Sequence, residues 1–159
     1  MLELQTGDAA PKFDLPATKD RKISLEDYRG QNVVLYFYPK DDTSGCTKEA
    51  CAFETLLPQL KKLNVAVLGV SKDTIAKHEK FAAKYGLTFP LLSDAESDLC
   101  ERYGVWKEKS MYGKTYMGIE RCTFLIGADG EIRRVWRKVK VNGHVEDVMA
   151  EITSLAERA

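Results

Sequence analysis

Hydrophobic residues recur along this chain with two different periods, and the places where the period changes mark the elements. Alternating stretches around Phe13-Asp14-Leu15 and Lys22-Ile23-Ser24 flank the polar turn Thr18-Lys19-Asp20, which predicts an N-terminal hairpin. Ser24 then stands where it can cap a short helical turn ending at Gly30. Residues 32–38 are apolar on both faces and rich in β-branched and aromatic side chains, as a central strand requires, and Pro39 ends them. Over residues 46–63 the period lengthens: Ala50, Phe53, Leu57 and Leu60 share one helical face, with Thr43 and Ser44 as candidate caps. Pro58 has no N–H to give the helix, so a kink or a restart is expected there. A second doubly buried strand over residues 65–71 precedes a helix over residues 73–85 that Gly86 stops. Residues 90–93 read as a short strand, 95–103 as a short helix ended by Gly104, and the polar, Gly-punctuated stretch 106–118 as loop. Residues 122–126 and 131–137 flank Asp129-Gly130, a strong hairpin signal. A last amphipathic helix over residues 144–155 puts Val145, Val148, Met149, Ile152 and Leu155 on one face. This order predicts an α/β sandwich, with a mixed central sheet flanked by helices and an N-terminal hairpin.

A length of 159 residues matches one domain, and neither an internal repeat nor a flexible linker divides it, so residues 1–159 are expected to form a single unit. Lys plus Arg (24) equals Asp plus Glu (24), which leaves no net positive field for a nucleic-acid backbone. The longest apolar stretches, 33–38 and 65–70, are far shorter than the roughly 18 residues that cross a bilayer, so no membrane association is expected. Glu3 and Asp8 fall within the first eight residues and no basic then apolar leader is seen, which points to the cytoplasm. The four cysteines, at 46, 51, 100 and 122, are too few for a disulfide scaffold; in a reducing compartment they need chemistry or burial to explain them.

Cys46 is the one placed for chemistry. It follows a buried strand and a short loop, in what should be the first turn of a helix, where unpaired N–H groups and the macrodipole favour an anion such as a thiolate. Moving a cysteine pKa from about 8.5 to about 6 takes roughly 3.4 kcal/mol. The helix end supplies about 2 kcal/mol at most. A further donor is therefore required: Thr43, three residues earlier, can aim its hydroxyl at the same spot, and a cation must come from elsewhere in the chain.

The spacing Pro39-x3-Thr43-x2-Cys46 resembles the peroxidatic motif of the peroxiredoxins, and the run from Tyr36 through Cys51 is similar to the bacterioferritin-comigratory, or Q-type, subfamily. The likeness extends from Gly7-Asp8-Ala9-Ala10-Pro11-Lys12-Phe13 through Leu91-Leu92-Ser93-Asp94 and Gly104-Val105-Trp106 to Thr123-Phe124-Leu125-Ile126, so it spans nearly the whole chain. The resemblance implies a thioredoxin-like fold and a thiol-dependent peroxidase of antioxidant defence. It further implies that Cys46 is the peroxidatic nucleophile, Cys51 the resolving cysteine, and Arg121 the cation that activates thiolate and peroxide. Pro39 would shield the pocket and Glu49 would orient Arg121. The implied partners are a peroxide substrate and thioredoxin or a similar dithiol protein, with no metal or cofactor and a monomeric chain. On an unbroken helix the Cα atoms of Cys46 and Cys51 would lie about 8.7 Å apart. A disulfide spans about 4.4 to 6.8 Å, so a bond between them requires the first turn to unwind.

Two features depart from the subfamily pattern: Cys122 stands where a small hydroxyl residue is common, and Cys100 lies outside the motif pair. Alternation along a strand sends Cys122 away from a pocket that Arg121 faces, so both extra cysteines are expected to be buried packing residues. A structural zinc site lacks a second well-spaced ligand pair. A Cys-His hydrolase needs a base, and His78 reads as a partly buried imidazole while His144 falls near the start of the last helix. A general thiol-disulfide oxidoreductase and a redox-sensing binding protein remain as rival uses of the same cysteines.

Overall fold

Alternation along the sheet decides what lies on each side of it. The computed structural model describes residues 3–158. Its first strands, β1 (Asp14–Ala17) and β2 (Arg21–Ser24), form the expected N-terminal hairpin. Ser24 caps a 3-10 turn over Leu25–Tyr28: its hydroxyl accepts from the Glu26 N–H while the Asp27 carboxylate accepts from the Ser24 N–H. The central strand β3 (Asn32–Phe37) leads into α1 (Ser44–Lys62), then β4 (Val65–Ser71), α2 (Ile75–Tyr85), β5 (Leu91–Ser93) and α3 (Leu99–Arg102). The chain continues through β6 (Trp106–Met111), β7 (Lys114–Ile119), β8 (Cys122–Ile126), β9 (Ile132–Trp136) and α4 (His144–Arg158).

Seven strands pair in the order β2-β1-β5-β4-β3-β8-β9, with β3, β4 and β5 parallel and the remaining pairs antiparallel. This is the mixed sheet of a thioredoxin-like fold. Val33, Leu35 and Phe37 face one core together with Leu68, Val70, Phe124 and the α3 residues Leu99 and Cys100. Val34 and Tyr36 face the other, packed by Ala50, Phe53, Leu57 and Leu60 of α1, Phe81 of α2, and Val145, Val148 and Ile152 of α4. Side chains of period two on the strands and of period 3.6 on the helices therefore meet across each face. No described helix is long and apolar enough to cross a membrane.

Three expectations change. Helix α1 runs through Pro58 without restarting. The proline removes one ladder bond, but Leu57 and Leu60 on either side of it are buried in the same core and hold the helix together. The helix expected over residues 95–103 shrinks to Leu99–Arg102, because the Asp94 carboxylate accepts from the N–H groups of Leu99 (2.9 Å) and Cys100 (2.8 Å) and so places the helix start five residues downstream. Residues 106–118, read as loop, form the two-stranded β6–β7 hairpin. Its turn, Tyr112-Gly113, has positive φ at both positions (53° and 77°), the geometry that Asn-Gly more often signals. Smaller shifts occur at helix ends: α2 starts at Ile75 behind a Thr74 cap, and α4 runs to Arg158.

Candidate active site

Helix α1 opens at the C-terminal edge of β3, and Cys46 is its third residue, where the backbone N–H groups of the first turn have no helical acceptor. The first helical bond, from the Thr47 N–H to the Thr43 carbonyl, leaves those of Ser44, Gly45 and Cys46 directed at the end of the helix. Register brings the cation: Cys122 pairs with Phe37, so Arg121, one residue earlier, lies level with the end of β3 and beside this first turn. Its Nη2 donates to Cys46 Sγ at 3.2 Å and its Nη1 to Glu49 Oε1 at 2.6 Å. Gly45 makes room for it, since a Cβ there would stand 3.3 Å from Nη2. Cys46 itself is 1% exposed.

Burial and charge pairing oppose each other at this site. Burial pushes the Glu49 carboxyl up to about 7, against the pull of Arg121 in the other direction. Burial also works against the Arg121 charge, but Glu49 and Cys46 outweigh it and hold that guanidinium above its ordinary value. The arginine thus stays charged between two groups that each gain from it. The structure brings Arg121 and Glu49 together as an ion pair beside Cys46, with the guanidinium hydrogen-bonded to its sulfur.

Thr43 does not fill its expected part. Its hydroxyl donates to the Lys40 carbonyl at 2.9 Å, it makes no cap bond with α1, and its side chain is exposed rather than turned to the sulfur. The tight return of the chain from Lys40 offers a carbonyl closer at hand than the thiol. Pro39 is also exposed, at the point where β3 leaves the sheet for the loop to Cys46. That loop is clamped from behind: Asp41 accepts from Tyr38 Oη (2.5 Å), pairs with His78 Nδ1 (2.6 Å), and donates its own N–H to Asp73 (2.8 Å). His78 Nε2 lies 2.9 Å from the Leu92 carbonyl, so the ring is wholly buried rather than partly. Asp42, at φ 58°, accepts from Lys84 and Tyr85.

Behind Glu49 lies a residue whose place in the sequence marks it chiefly as the start of a helix. His144, the first residue of α4, is buried, with Nε2 2.8 Å from Thr123 Oγ1 and 3.9 Å from Glu49 Oε2. Burial pushes it down to about 4, so its imidazole is neutral at physiological pH. Glu49 Oε2 and Tyr36 Oη are both buried with no hydrogen-bond partner. Gly69, opposite Tyr36 on β4, is what lets that tyrosine lie flat there, since a Cβ would meet its ring at 2.9 Å.

All four thiols are free. Cys51 is half-buried and lies on the same unbroken helix as Cys46, so the two Cα atoms are about 8.7 Å apart by helix geometry. Cys100 and Cys122 are buried in the opposite core, as expected, and burial pushes both thiols upward, Cys122 to about 12. Neither offers a thiolate near neutrality.

The fold and the buried thiol under a guanidinium define a thioredoxin-like thiol enzyme. The chain matches the AhpC/TSA family over residues 6–135, more than half its length, and it belongs to that family. Within the family its relatives are Bcp and PrxQ peroxiredoxins. A putative peroxiredoxin bcp of Coxiella burnetii is 51% identical over 151 residues, covering 95% of this chain and 100% of the relative. A crystal structure of a Xylella fastidiosa PrxQ variant superposes with a TM-score of 0.93 at 43% identity, covering 98% and 99% of the two chains. A Xanthomonas campestris bacterioferritin comigratory protein gives 0.86 at 44% identity, over 91% and 92%. The protein is thus a thiol-dependent peroxidase of the peroxiredoxin type.

Proposed function

We propose that the peroxidase reaction runs through Cys46, with Arg121 as its activating cation, Glu49 holding that arginine, and Cys51 as the resolving thiol. The observation that carries this reading is the 3.2 Å approach of Arg121 Nη2 to a buried sulfur at a helix N-terminus. The Cys46 thiolate attacks one peroxide oxygen, the O–O bond breaks, and sulfur is oxidised to sulfenic acid. The other oxygen leaves with the bonding pair and takes up a proton as water or alcohol, while the guanidinium fork stabilises the charge that develops on it. Cys51 sulfur then attacks Cys46 sulfur, water leaves, and a disulfide forms; thioredoxin or a similar dithiol protein restores both thiols by exchange. Hydrogen peroxide and organic hydroperoxides are the proposed substrates. The Xanthomonas relative was studied for alkyl peroxide reduction, which supports the organic part of that range. Pro39 and Thr43 belong to the loop that presents the thiol, and Thr43 has only to turn its hydroxyl from Lys40 to join the site. We further read the chain as one domain that works as a cytoplasmic monomer.

Peroxide loss measured with thioredoxin, its reductase and NADPH tests the function, and one NADPH per peroxide is the expected stoichiometry. Protein-disulfide reduction without peroxide loss would instead mark a general oxidoreductase. Oxidation of one equivalent without turnover would mark a redox-sensing binder.

Oxidation must also open the helix. Because about 8.7 Å exceeds disulfide reach, amide exchange over residues 46–51 is expected to quicken after peroxide treatment and to slow again on reduction. Protection that stays unchanged in a fully oxidised sample would exclude the pairing.

A further inference from the structure

The site as described leaves one side of the Glu49 carboxylate unexplained. Oε1 takes the Arg121 hydrogen bond, whereas Oε2 is buried, has no hydrogen-bond partner, and looks toward His144 Nε2 at 3.9 Å. The imidazole is not free to swing away. Thr123 Oγ1 holds Nε2 at 2.8 Å, the Trp136 indole meets the ring edge-on with centroids 5.9 Å apart, and the His144 backbone N–H is bonded to the Val141 carbonyl. A continuous line of groups, all buried except the half-buried Arg121, thus runs from Cys46 Sγ through Arg121 and Glu49 to His144 and Thr123, linking α1, the approach to β8, β8 itself and α4.

We propose that His144 is a positioning residue of the peroxidase reaction: by closing the buried side of the Glu49 carboxylate, it sets how firmly that carboxylate keeps Arg121 turned toward Cys46. The proposal rests on the reading of Cys46 as nucleophile. Since the imidazole is neutral, it shuts water out without neutralising the carboxylate, and the carboxyl is left with a pKa of about 7. Glu49 therefore exchanges its proton in the working range of pH. The other charged or titratable groups around the line are Cys46, Tyr36 and Arg121, then Asp41, which acts on Tyr36, Lys109 of β6, itself lowered by burial and by Arg121, Glu120 beside that lysine, and Glu146 and Asp147 of α4, which act on His144. When Glu49 takes up a proton, Arg121 faces a neutral acid and loses its anchoring charge. The peroxide step should consequently slow as pH falls through about 7, even though Arg121 itself remains charged.

Two replacements of His144 have opposite expected effects. In His144→Asn the shorter side chain leaves space for water to reach and donate to Glu49 Oε2, so the carboxylate is stabilised and the acid limb of the rate profile moves to lower pH. In His144→Phe no polar atom remains, so the limb moves to higher pH. A half-unit shift each way makes single-turnover peroxide consumption at pH 6 about threefold faster in the first variant and about threefold slower in the second, relative to each variant's own plateau. A merely structural histidine would lower the plateau in both and move neither limb, and limbs that stay put or shift together would overturn the proposal. Should either variant fail to fold, the wild-type protein still decides. The Glu49 carboxyl carbon and the His144 ring nitrogens, followed by NMR, should shift with one midpoint near 7, and a His144 signal that ignores the Glu49 titration would overturn it. Activity surviving in Cys46→Ser would count against the nucleophile assignment and is a separate failure from either of these.

Discussion

Cys46→Ser is expected to bring peroxide turnover to below a few per cent of wild type while the protein still folds. The serine side chain has nearly the same shape, and the site it enters is already closed, so packing of α1 against the sheet should persist. What is lost is the anion: a hydroxyl at this helix end keeps its proton at any pH where the protein is folded, and an un-ionised oxygen does not open an O–O bond. Circular dichroism and thermal unfolding check the fold, and the coupled NADPH assay checks the turnover. Retention of a substantial rate would remove Cys46 from the nucleophile's role.

Arg121→Ala should be the next most damaging change. A charge-assisted hydrogen bond is worth about 1.5 to 3 kcal/mol, so its loss should slow alkylation of Cys46 at pH 7 by about tenfold or more. Peroxide turnover should fall further, since in the proposed mechanism the same guanidinium also stabilises the leaving oxygen. Arg121→Lys keeps a charge but has no planar fork to span Cys46 and Glu49 together; it should cost turnover more than it costs alkylation. Arg121→Ala leaves Glu49 without its partner in a buried place, and the carboxyl, already raised to about 7 with the arginine present, would take up a proton rather than stay charged. With the pull of Arg121 gone the folded-state value rises further, so the folded protein gains stability from that proton as pH falls from above 7 toward the ordinary carboxyl value of 4.5, and unfolding midpoints followed over this range read that sign directly. An Arg121→Ala protein with wild-type alkylation and turnover would make this arginine an ordinary structural residue.

The elements that carry the site were legible because their patterns are local. Apolar residues on both faces of β3 and β4, the i, i+3, i+4 spacing of Ala50, Phe53, Leu57 and Leu60, and Gly86 at the end of α2 each describe one element without reference to another. The β6–β7 hairpin has no local signature, since only its base, Trp106 and Ile119, packs on the core; the rest is half-buried or exposed and carries no apolar alternation, and a Tyr-Gly turn is a weak signal. Gly45 was legible in principle, because glycine within a helix's first turn weakens the helix unless another group must come close, as Arg121 does. The spacing of Thr43 to Cys46 allows a contact, but the Lys40 carbonyl competes for the same hydroxyl proton, and spacing alone does not rank the two. His144 and the Tyr38-Asp41-His78 clamp join residues far apart in the chain, and nothing local announces such meetings.

The most direct test of the central claim is the mass and disulfide map of the fully reduced chain after one equivalent of peroxide. The account predicts a monomer about 2 Da lighter, in which one cross-linked pair joins the peptides of Cys46 and Cys51 while Cys100 and Cys122 remain open to alkylation under denaturing conditions. A link from Cys46 to Cys100 or Cys122, or a covalent dimer as the main product, would contradict it.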